Sequence, residues 1–316
     1  MTEHLLDDSQ IHAFWDNTLP PRLEIQPEDV VIFECREASD GQITLESTSQ
    51  DLLDMDPQLI HPLTGPVYVQ GARPGDTLEV EILRLEHKGW GWSGVVPEFG
   101  LLADDFTEPY LHLWRIAQDT CIFRSDLHIQ LPFEPFCGVM GVAPGTSGRL
   151  STAPPRANAG NLDIRSLVQG ARLWLPVWAA GALFSVGDAH AAQGDGEVCG
   201  TGIECPMTVT LRFRLRKDLT IPEPRFETPS PLSRADTAGY FATTAHGPDL
   251  YANAQNAIRY MIDYLQGEFD LAREPAYVLC SAAVNLAISE IVDAPHWIVS
   301  AYLPLSIFGG HGREDG

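Results

Sequence analysis

Hydrophobic and polar positions alternate along much of the first two thirds of the chain, and this pattern predicts β-strands. The residues from Asp29 to Cys35 and from Val67 to Leu85 include many β-branched side chains and are punctuated by Pro/Gly turns. From Thr77 to Leu83 the alternation is strict, so that one face of this strand would contact a core and the other would face water. A similar strand is predicted from Met207 to Leu215. The central region is therefore predicted to be mainly β.

The last third of the chain changes to helical periodicity. Apolar residues recur at three- and four-residue steps from Asp249 to Leu265, and a second amphipathic helix is predicted from Pro275 to Ile291. A Pro-rich connector, Thr220 to Ser233, precedes both helices. We therefore predict an α+β protein that is predominantly β. Residues 1–219 would form the β region, and residues 220–316 would form the connector and a helical region integrated with it into one compact unit.

Composition narrows the classes of partner. The 316 residues include 20 Lys+Arg and 43 Asp+Glu, which gives a formal net charge of −23. Nucleic acid and anionic membrane surfaces are therefore excluded as general partners. The longest apolar run, Leu173 to Val186, contains Pro176 and Gly181 and is too short and too broken to span a bilayer. The acidic start lacks the features of a secretory signal, and the six cysteines contain no CxxC pair, so we expect free thiols and a cytoplasmic location.

Two motifs that could indicate other chemistry are weak. The run Gly89 to Gly94 matches GxGxxG, but the residues after it are a poor helix start, which favours a glycine-rich turn over a dinucleotide-binding loop. Cys137 lies in an apolar stretch, where a thiol is more often a small buried side chain than a nucleophile. A cysteine nucleophile that acts together with Glu and Lys, as in the Glu/Lys/Cys amidases, would also need a lysine. Neither Lys88 nor Lys217 has the sequence context of that class.

The densest polar cluster, Gly187 to Glu197, directly follows the longest apolar run. Titratable side chains at the end of a buried segment are costly unless they are paired, hydrogen-bonded or bound to a metal. In an extended stretch Asp188 and His190 fall on the same face, where they could supply an oxygen and a nitrogen ligand to one divalent cation. Glu204 follows at the start of the next strand.

A second polar cluster, Asn158 to Asp163, lies upstream. Its glycine allows close approach to a ligand, and its Asn and Asp oxygens can coordinate a metal or orient an amide. Asp163 is a candidate third ligand. The alternative is an ordinary turn whose carboxylate pairs with Arg156 or Arg165.

Several segments together resemble the acetamidase/formamidase family. The resemblance extends from about Trp15 to Leu305, in matching order, and its most specific part is the GDxHxxQGDGE run at Gly187 to Glu197. The other segments that carry it are Gly65 to Ala72 with Pro74-Gly75-Asp76, Pro135 to Pro144, and Gly160-Asn161-Leu162-Asp163.

The resemblance implies a β-sandwich-like fold with peripheral C-terminal helices, assembled as a homo-oligomer. It implies hydrolysis of the C–N bond of short aliphatic amides to a carboxylate and ammonia. A divalent metal, zinc with calcium as the alternative, would activate the water. On the family pattern, Asp163, Asp188, His190 and Glu204 would be the metal ligands and Glu197 the general base, so that Glu197 and His190 are the candidate catalytic residues. Asn161 is a candidate substrate-binding residue, because its side-chain oxygen can orient an amide.

Amide hydrolysis needs a polarised carbonyl, an activated water and a proton donor for the departing amine. A small neutral amide offers few groups to bind, so the pocket is expected to be tight and partly apolar, with Trp90, Trp92 and Phe136 as walls. Two alternatives stay open. One is a non-catalytic homologue with a structural metal site, and the other is a hydrolase of the same fold that acts on a urea-like or guanidine-like substrate.

Overall fold

A computed structural model describes residues 1–229 and 233–309, and strands dominate it. In chain order the strands are β1 (Glu3–Leu6), β2 (Ile11–His12), β3 (Phe14–Trp15), β4 (Leu23–Ile25), β5 (Val30–Cys35), β6 (Leu63–Val69), β7 (Thr77–His87), β8 (Trp90–Val95), β9 (Tyr110–Ala117), β10 (Thr120–Arg124), β11 (Ile129–Pro132), β12 (Phe136–Gly141), β13 (Leu150–Ser151), β14 (Ala159–Asn161), β15 (Arg172–Pro176), β16 (Phe184–His190), β17 (Met207–Arg216), β18 (Arg225–Glu227), β19 (Tyr240–Gly247), β20 (Asn285–Glu290) and β21 (Trp297–Pro304). The helices are α1 (Leu250–Phe269) and α2 (Arg273–Ala283), with short 3₁₀ helices at Ser49–Leu52 and Leu305–Ile307. The predicted α+β class with a predominance of β-structure is confirmed.

Two large sheets pack face to face around a common core. The first has the strand order β1-β5-β17-β7-β15-β18, and the second has the order β14-β12-β16-β6-β2, with β4 also pairing with β6. The ring of Phe184 on the second sheet lies 6.1 Å from that of Phe33 and 5.1 Å from that of Phe213, both on the first sheet. These edge-on aromatic contacts fill the space between the sheets and account for the predicted sandwich.

In strand β17 the apolar residues of the alternating pattern are buried, as the sequence predicts. Val209, Leu211 and Phe213 are fully buried, and β17 pairs antiparallel with both β5 and β7. On β7 the polar face also contributes a buried residue, Glu79, which alternation alone would leave in water. Its carboxylate accepts hydrogen bonds from Arg214, Arg216 and Trp174, and these partners offset the cost of its burial.

A third sheet, β11-β10-β9-β8, joins the second sheet through one residue. Glu204 forms an isolated bridge with Trp92 on β8 and another with His190 at the end of β16. The backbone N–H of Trp92 donates to the carbonyl of Glu204 at 2.9 Å, and the N–H of Glu204 donates back at 2.8 Å. The Glu204 backbone therefore holds the ends of two sheets together beside His190.

The C-terminal region contains both correct and incorrect predictions. Helix α1 is confirmed, and the side chain of its N-cap residue, Asp249, accepts hydrogen bonds from two backbone N–H groups of the first turn. The predicted second helix, Pro275 to Ile291, is wrong beyond Ala283. Residues 285–290 instead form β20, which pairs antiparallel with β21 in the sheet β19-β21-β20. Strand pairing there satisfies the backbone groups that a longer helix would have satisfied internally.

The connector predicted from Thr220 to Ser233 contains the short strand β18, which pairs with β15 at the edge of the first sheet. Its residues 230–232, and residues 310–316 at the end of the predicted helical region, lie outside the described residues. The division of the chain at residue 219 stays a prediction. Within the described residues, neither helix is long and apolar enough to cross a membrane.

Candidate active site

The centre of the site lies where β12 and β16 pair. Asp188 and His190 lie on β16, and both are buried. Gly138 on β12 lies opposite Asp188, and its carbonyl accepts hydrogen bonds from the backbone of Leu162 and Asp163. A Cβ atom at Gly138 would lie 2.5 Å from Oδ1 of Asp163 and 2.6 Å from Oδ2 of Asp188. Glycine at this position therefore leaves the space in which the two carboxylates meet.

His190 is surrounded by acidic side chains. Its Nε2 lies 3.0 Å from Oε2 of Glu204 and 3.5 Å from Oδ1 of Asp188. Its Nδ1 lies 2.7 Å from Oε1 of Gln193, whose amide nitrogen donates to the backbone carbonyl of Asp163 at 3.0 Å. Because an amide oxygen only accepts, this arrangement places a proton on Nδ1 and directs Nε2 towards the carboxylates.

Two groups of potential metal ligands share His190. Asp188, His190 and Glu204 each offer one ligand atom, and these atoms lie within 4.8 Å of one another, as do those of Asp163, His190 and Glu197. The structure thus brings together all five of the residues proposed from the sequence as metal ligands or catalytic residues. We call these five residues the acidic cluster.

Oδ1 of Asp163 is buried and has no hydrogen-bond partner. Nε2 of His190 and Oε2 of Glu204 are also buried, and they face each other at 3.0 Å without forming a hydrogen bond of normal geometry. Buried polar atoms with such incomplete pairing are rare in folded proteins. All three are oxygen or imidazole nitrogen donors, the types that Zn²⁺ accepts, and the oxygens also suit Ca²⁺. The donor set therefore fits a divalent cation.

The pKa shifts of three carboxyl groups in the acidic cluster also fit a site for a cation. Burial and the charge of Asp188 raise the pKa of Asp163 to about 6 and that of Glu204 to about 8. Burial and the charge of Asp163 raise the pKa of Glu197 well above its ordinary value. Like charges in a low-dielectric site repel, and either protons or a cation can relieve that repulsion.

The two remaining members, Asp188 and His190, have pKa shifts that favour their charged forms. Burial acts to raise the pKa of Asp188, but the charges of His61 and His190 lower it well below its usual range. Burial acts to lower the pKa of His190, but Glu204 and Asp188 raise it well above its ordinary value. Positive charge is therefore most favourable in the cluster at the His190 ring, between the carboxylates of Asp188 and Glu204.

The backbone at the site adopts an uncommon conformation. Asp163, Asp188 and Glu197 have φ angles of 48°, 51° and 44°, and His61 has a φ of 57°. The left-handed region is unfavourable for residues other than glycine, and such residues concentrate at functional sites. These angles direct side chains from separate segments towards one point.

His61 is a site residue to which sequence reasoning assigns no role, because a lone histidine beside a turn more often satisfies local hydrogen bonds. Its Nε2 lies 3.8 Å from Oδ2 of Asp188, and its Nδ1 is buried without a hydrogen-bond partner. It precedes β6 in a turn, so only the three-dimensional structure reveals that it faces β16. Gln193 and Gly138 were likewise not selected, although both lie inside the segments that carried the family resemblance.

The acidic cluster opens into a cavity of about 540 Å³. Trp92 and Asn161, both predicted to bind substrate, line this cavity, and the side-chain Oδ1 of Asn161 is buried without a partner. The indole N–H of Trp92 donates to Glu37 at 2.7 Å, which fixes the ring. Phe136, the third residue predicted to bind substrate, is fully buried and packs edge-on against the His190 ring at 5.0 Å rather than lining the cavity.

The competing interpretations of the sequence find no support among the described residues. Cys137 is buried, burial raises the pKa of its thiol well above the ordinary value, and it does not line the cavity. From Trp90 onwards the GxGxxG run belongs to β8, so it is neither a loop that opens a helix nor the glycine-rich turn that the sequence favoured. Arg165 pairs with Glu134, and Arg156 donates to backbone carbonyls, so neither arginine neutralises Asp163.

Comparisons with known proteins agree across the length of the chain. A model of the acetamidase/formamidase family matches residues 2–149 and 145–310. A formamidase from Methylophilus methylotrophus is 29% identical, with 95% of this chain and 90% of the relative covered. An acetamidase structure from Bacillus halodurans has a TM-score of 0.68 at 34% identity, covering 96% of this chain and 98% of its own. A gamma lactamase structure from Delftia acidovorans has a TM-score of 0.90 at 25% identity, covering 97% and 93%.

Proposed function

The chain belongs to the acetamidase/formamidase family, and we propose that it hydrolyses the C–N bond of short aliphatic amides to a carboxylate and ammonia at the acidic cluster, with a bound divalent cation. The observation that carries this proposal is the convergence of four carboxylates on the wall of a cavity, around the buried imidazole of His190 and with Oδ1 of Asp163 lacking a hydrogen-bond partner. Similarity to the formamidase and the acetamidase supports the class of substrate.

The cation would be held by Asp188, His190 and Glu204, with Asp163 as a further ligand across Gly138. Zinc is proposed because the donor set includes an imidazole, and calcium is the alternative because the other donors are carboxylates. When bound, the cation would supply a Lewis acid that polarises the amide carbonyl and makes water more acidic.

The chain's own residues would bind the amide and move the protons. Glu197 can take a proton from the attacking water and pass it to the departing nitrogen, since its carboxylate lies in the same group as Asp163 and His190. The unpartnered Oδ1 of Asn161 can accept a hydrogen bond from the amide NH₂. The Trp92 ring would exclude water from one side of the bound amide.

The test is ammonia release from formamide, acetamide, propionamide, urea and guanidine by the native protein, Glu197→Gln and His190→Ala. We expect turnover of the amides that falls by about 10²-fold or more in Glu197→Gln, whose metal content should be retained. His190→Ala should lose both metal and turnover. Cys137→Ala is the control and should keep both.

Each contrary outcome has a definite meaning. Amide turnover that survives in His190→Ala but disappears in Cys137→Ala would contradict the proposal and favour a thiol mechanism. Turnover of urea or guanidine without amide turnover would reassign the substrate. A native protein that holds its metal and turns over none of these compounds would favour the structural-site alternative.

A cyclic amide is a second candidate substrate, and the similarity to the gamma lactamase favours it. The same attack on a carbonyl would then open a ring, and the amine would stay attached to the product. Ring opening of 2-pyrrolidinone to its amino acid, followed by chromatography, distinguishes this reaction because no ammonia is released. Homo-oligomeric assembly and a cytoplasmic location stay predictions.

A further inference from the structure

The cavity is much larger than the smallest amides require. At a share of about 30 Å³ per water-sized group, 540 Å³ holds on the order of 15–20 such groups, whereas formamide and acetamide bring only a few non-hydrogen atoms. The four carboxylates of the acidic cluster line part of this cavity. An apolar wall lines another part of it and is formed by Leu52, Leu53, Met55, Ile60, Val96 and Phe99.

The apolar wall is an ordered part of the fold. Leu52 belongs to a buried cluster with Trp92, and Met55 and Val96 pack against that cluster. The 3₁₀ helix that carries Leu52 is fixed to β9, because the hydroxyl of Ser49 accepts a hydrogen bond from the backbone of Leu111 at 2.9 Å. The wall is therefore held in place before any ligand arrives, which lowers the entropic cost of binding.

Apolar side chains also extend to the outer part of this cavity. Leu53 is 49% exposed and Phe99 is 58% exposed, and both line it. The ring of Phe99 rests against the backbone of Gly200, where a side chain would collide with it. A ligand that reaches from the acidic cluster to these two residues would cover apolar surface that the protein leaves in water.

Resting on the proposed function, we infer that the site takes amides with a bulky apolar acyl group. The amide lies at the acidic cluster, and the acyl group extends along Leu52, Met55 and Phe99. Each methylene buried against this wall raises affinity about fourfold. Lengthening the acyl group from acetamide to hexanamide therefore favours binding by on the order of 10²-fold.

The test compares kcat/KM for acetamide, butyramide, hexanamide and phenylacetamide. We expect kcat/KM to rise along the aliphatic series by a factor of about 10². In Met55→Ser and in Phe99→Ser, the ratio of kcat/KM for hexanamide to that for acetamide should fall by about tenfold. Leu59→Ser is the matched control, because Leu59 is an exposed residue of the same segment that does not line the cavity, and its ratio should equal that of the native protein.

Failure of the inference and failure of the proposed function give different results. Acetamide turnover with a flat or falling series would overturn the apolar subsite and leave the proposed function intact. A rising series whose ratio is unchanged in both Met55→Ser and Phe99→Ser would overturn the assignment to this wall. A series in which no amide is hydrolysed would overturn the proposed function, and the inference with it.

Discussion

At the scale of single residues, the site depends on two positions that carry no charge. Gly138 leaves room for the carboxylates of Asp163 and Asp188, and Gln193 fixes the ring of His190. Neither would contact a substrate directly. Both determine whether the charged side chains converge with the spacing that the proposed cation would need.

Replacement of Gly138 by Ala should abolish metal binding. The new Cβ would approach both carboxylates to about 2.5 Å, so at least one of them must move away. We expect stoichiometric metal content to be lost and amide turnover to fall by about 10²-fold or more. Elemental analysis and ammonia release measure the two effects. Gly145→Ala is the control, because its Cβ would meet Trp178 at an ordinary 3.6 Å; an equal loss in both variants would contradict this account.

Replacement of Gln193 by Ala should weaken metal binding by about 10- to 100-fold. The side chain holds Nδ1 of His190 at 2.7 Å, and without it the ring can rotate or exchange its proton between the two nitrogens. Competition with a chromophoric zinc chelator measures the affinity. Gln193→Glu keeps an accepting oxygen and should recover part of it. Native affinity in Gln193→Ala would show that the hydrogen bond does not orient the ligand.

At the scale of secondary structure, His12 on β2 links the edge of the second sheet to its centre. Its Nε2 lies 2.9 Å from the hydroxyl of Ser185 on β16, and its Nδ1 lies 2.7 Å from the carbonyl of Phe14. Burial lowers its pKa to about 4. The folded protein therefore holds this ring neutral at a pH where the unfolded chain would protonate it.

The free energy of unfolding should consequently depend on pH through His12. With an unfolded pKa of about 6.5, the unfolded state binds more protons between pH 6.5 and 4, so stability falls as pH decreases through this window. The full loss attributable to His12 is about 3 kcal/mol. Urea unfolding of the native protein and His12→Gln at pH 7.5, 5.5 and 4.5 measures it. The variant should show a shallower dependence, and parallel curves would refute the assignment.

The periodicity of apolar residues predicts a helix or strand correctly where one face is buried and no distant strand pairs with the segment in a different conformation. The three- and four-residue spacing located α1, and the alternation located the buried face of β17. The same reasoning extended α2 too far, because Leu286 and Ile291 fit a helical spacing although residues 285–290 pair with β21. The local spacing of apolar residues does not show that a segment pairs with a strand further along the chain. Tertiary contacts therefore determined that residues 285–290 form a strand.

At the scale of the whole molecule, the sequence does not predict which residues meet at the site when they are far apart along the chain. The acidic cluster could be selected because its members occupy short polar segments within residues 158–204. His61 and the apolar wall come from residues 52–61 and from the loop after β8, and they meet the cluster only after the sheets pack. Phe136, predicted as a wall of the substrate pocket, instead packs against His190 away from the cavity, because its position depends on the pairing of β12 with β16.

The charge of the whole molecule suits the proposed chemistry. A net charge of −23 raises the local concentration of cations and leaves neutral amides unaffected, and the carboxylate product is repelled. The proposed amide hydrolysis therefore requires a divalent cation held by the acidic cluster.

The most direct test follows metal content and amide turnover on the same sample during stepwise chelation and the return of zinc. We predict that turnover falls in proportion to the metal removed and recovers as zinc is bound again, with Glu197→Gln binding zinc but remaining inactive. Full turnover in protein that elemental analysis shows to be free of metal would contradict the account.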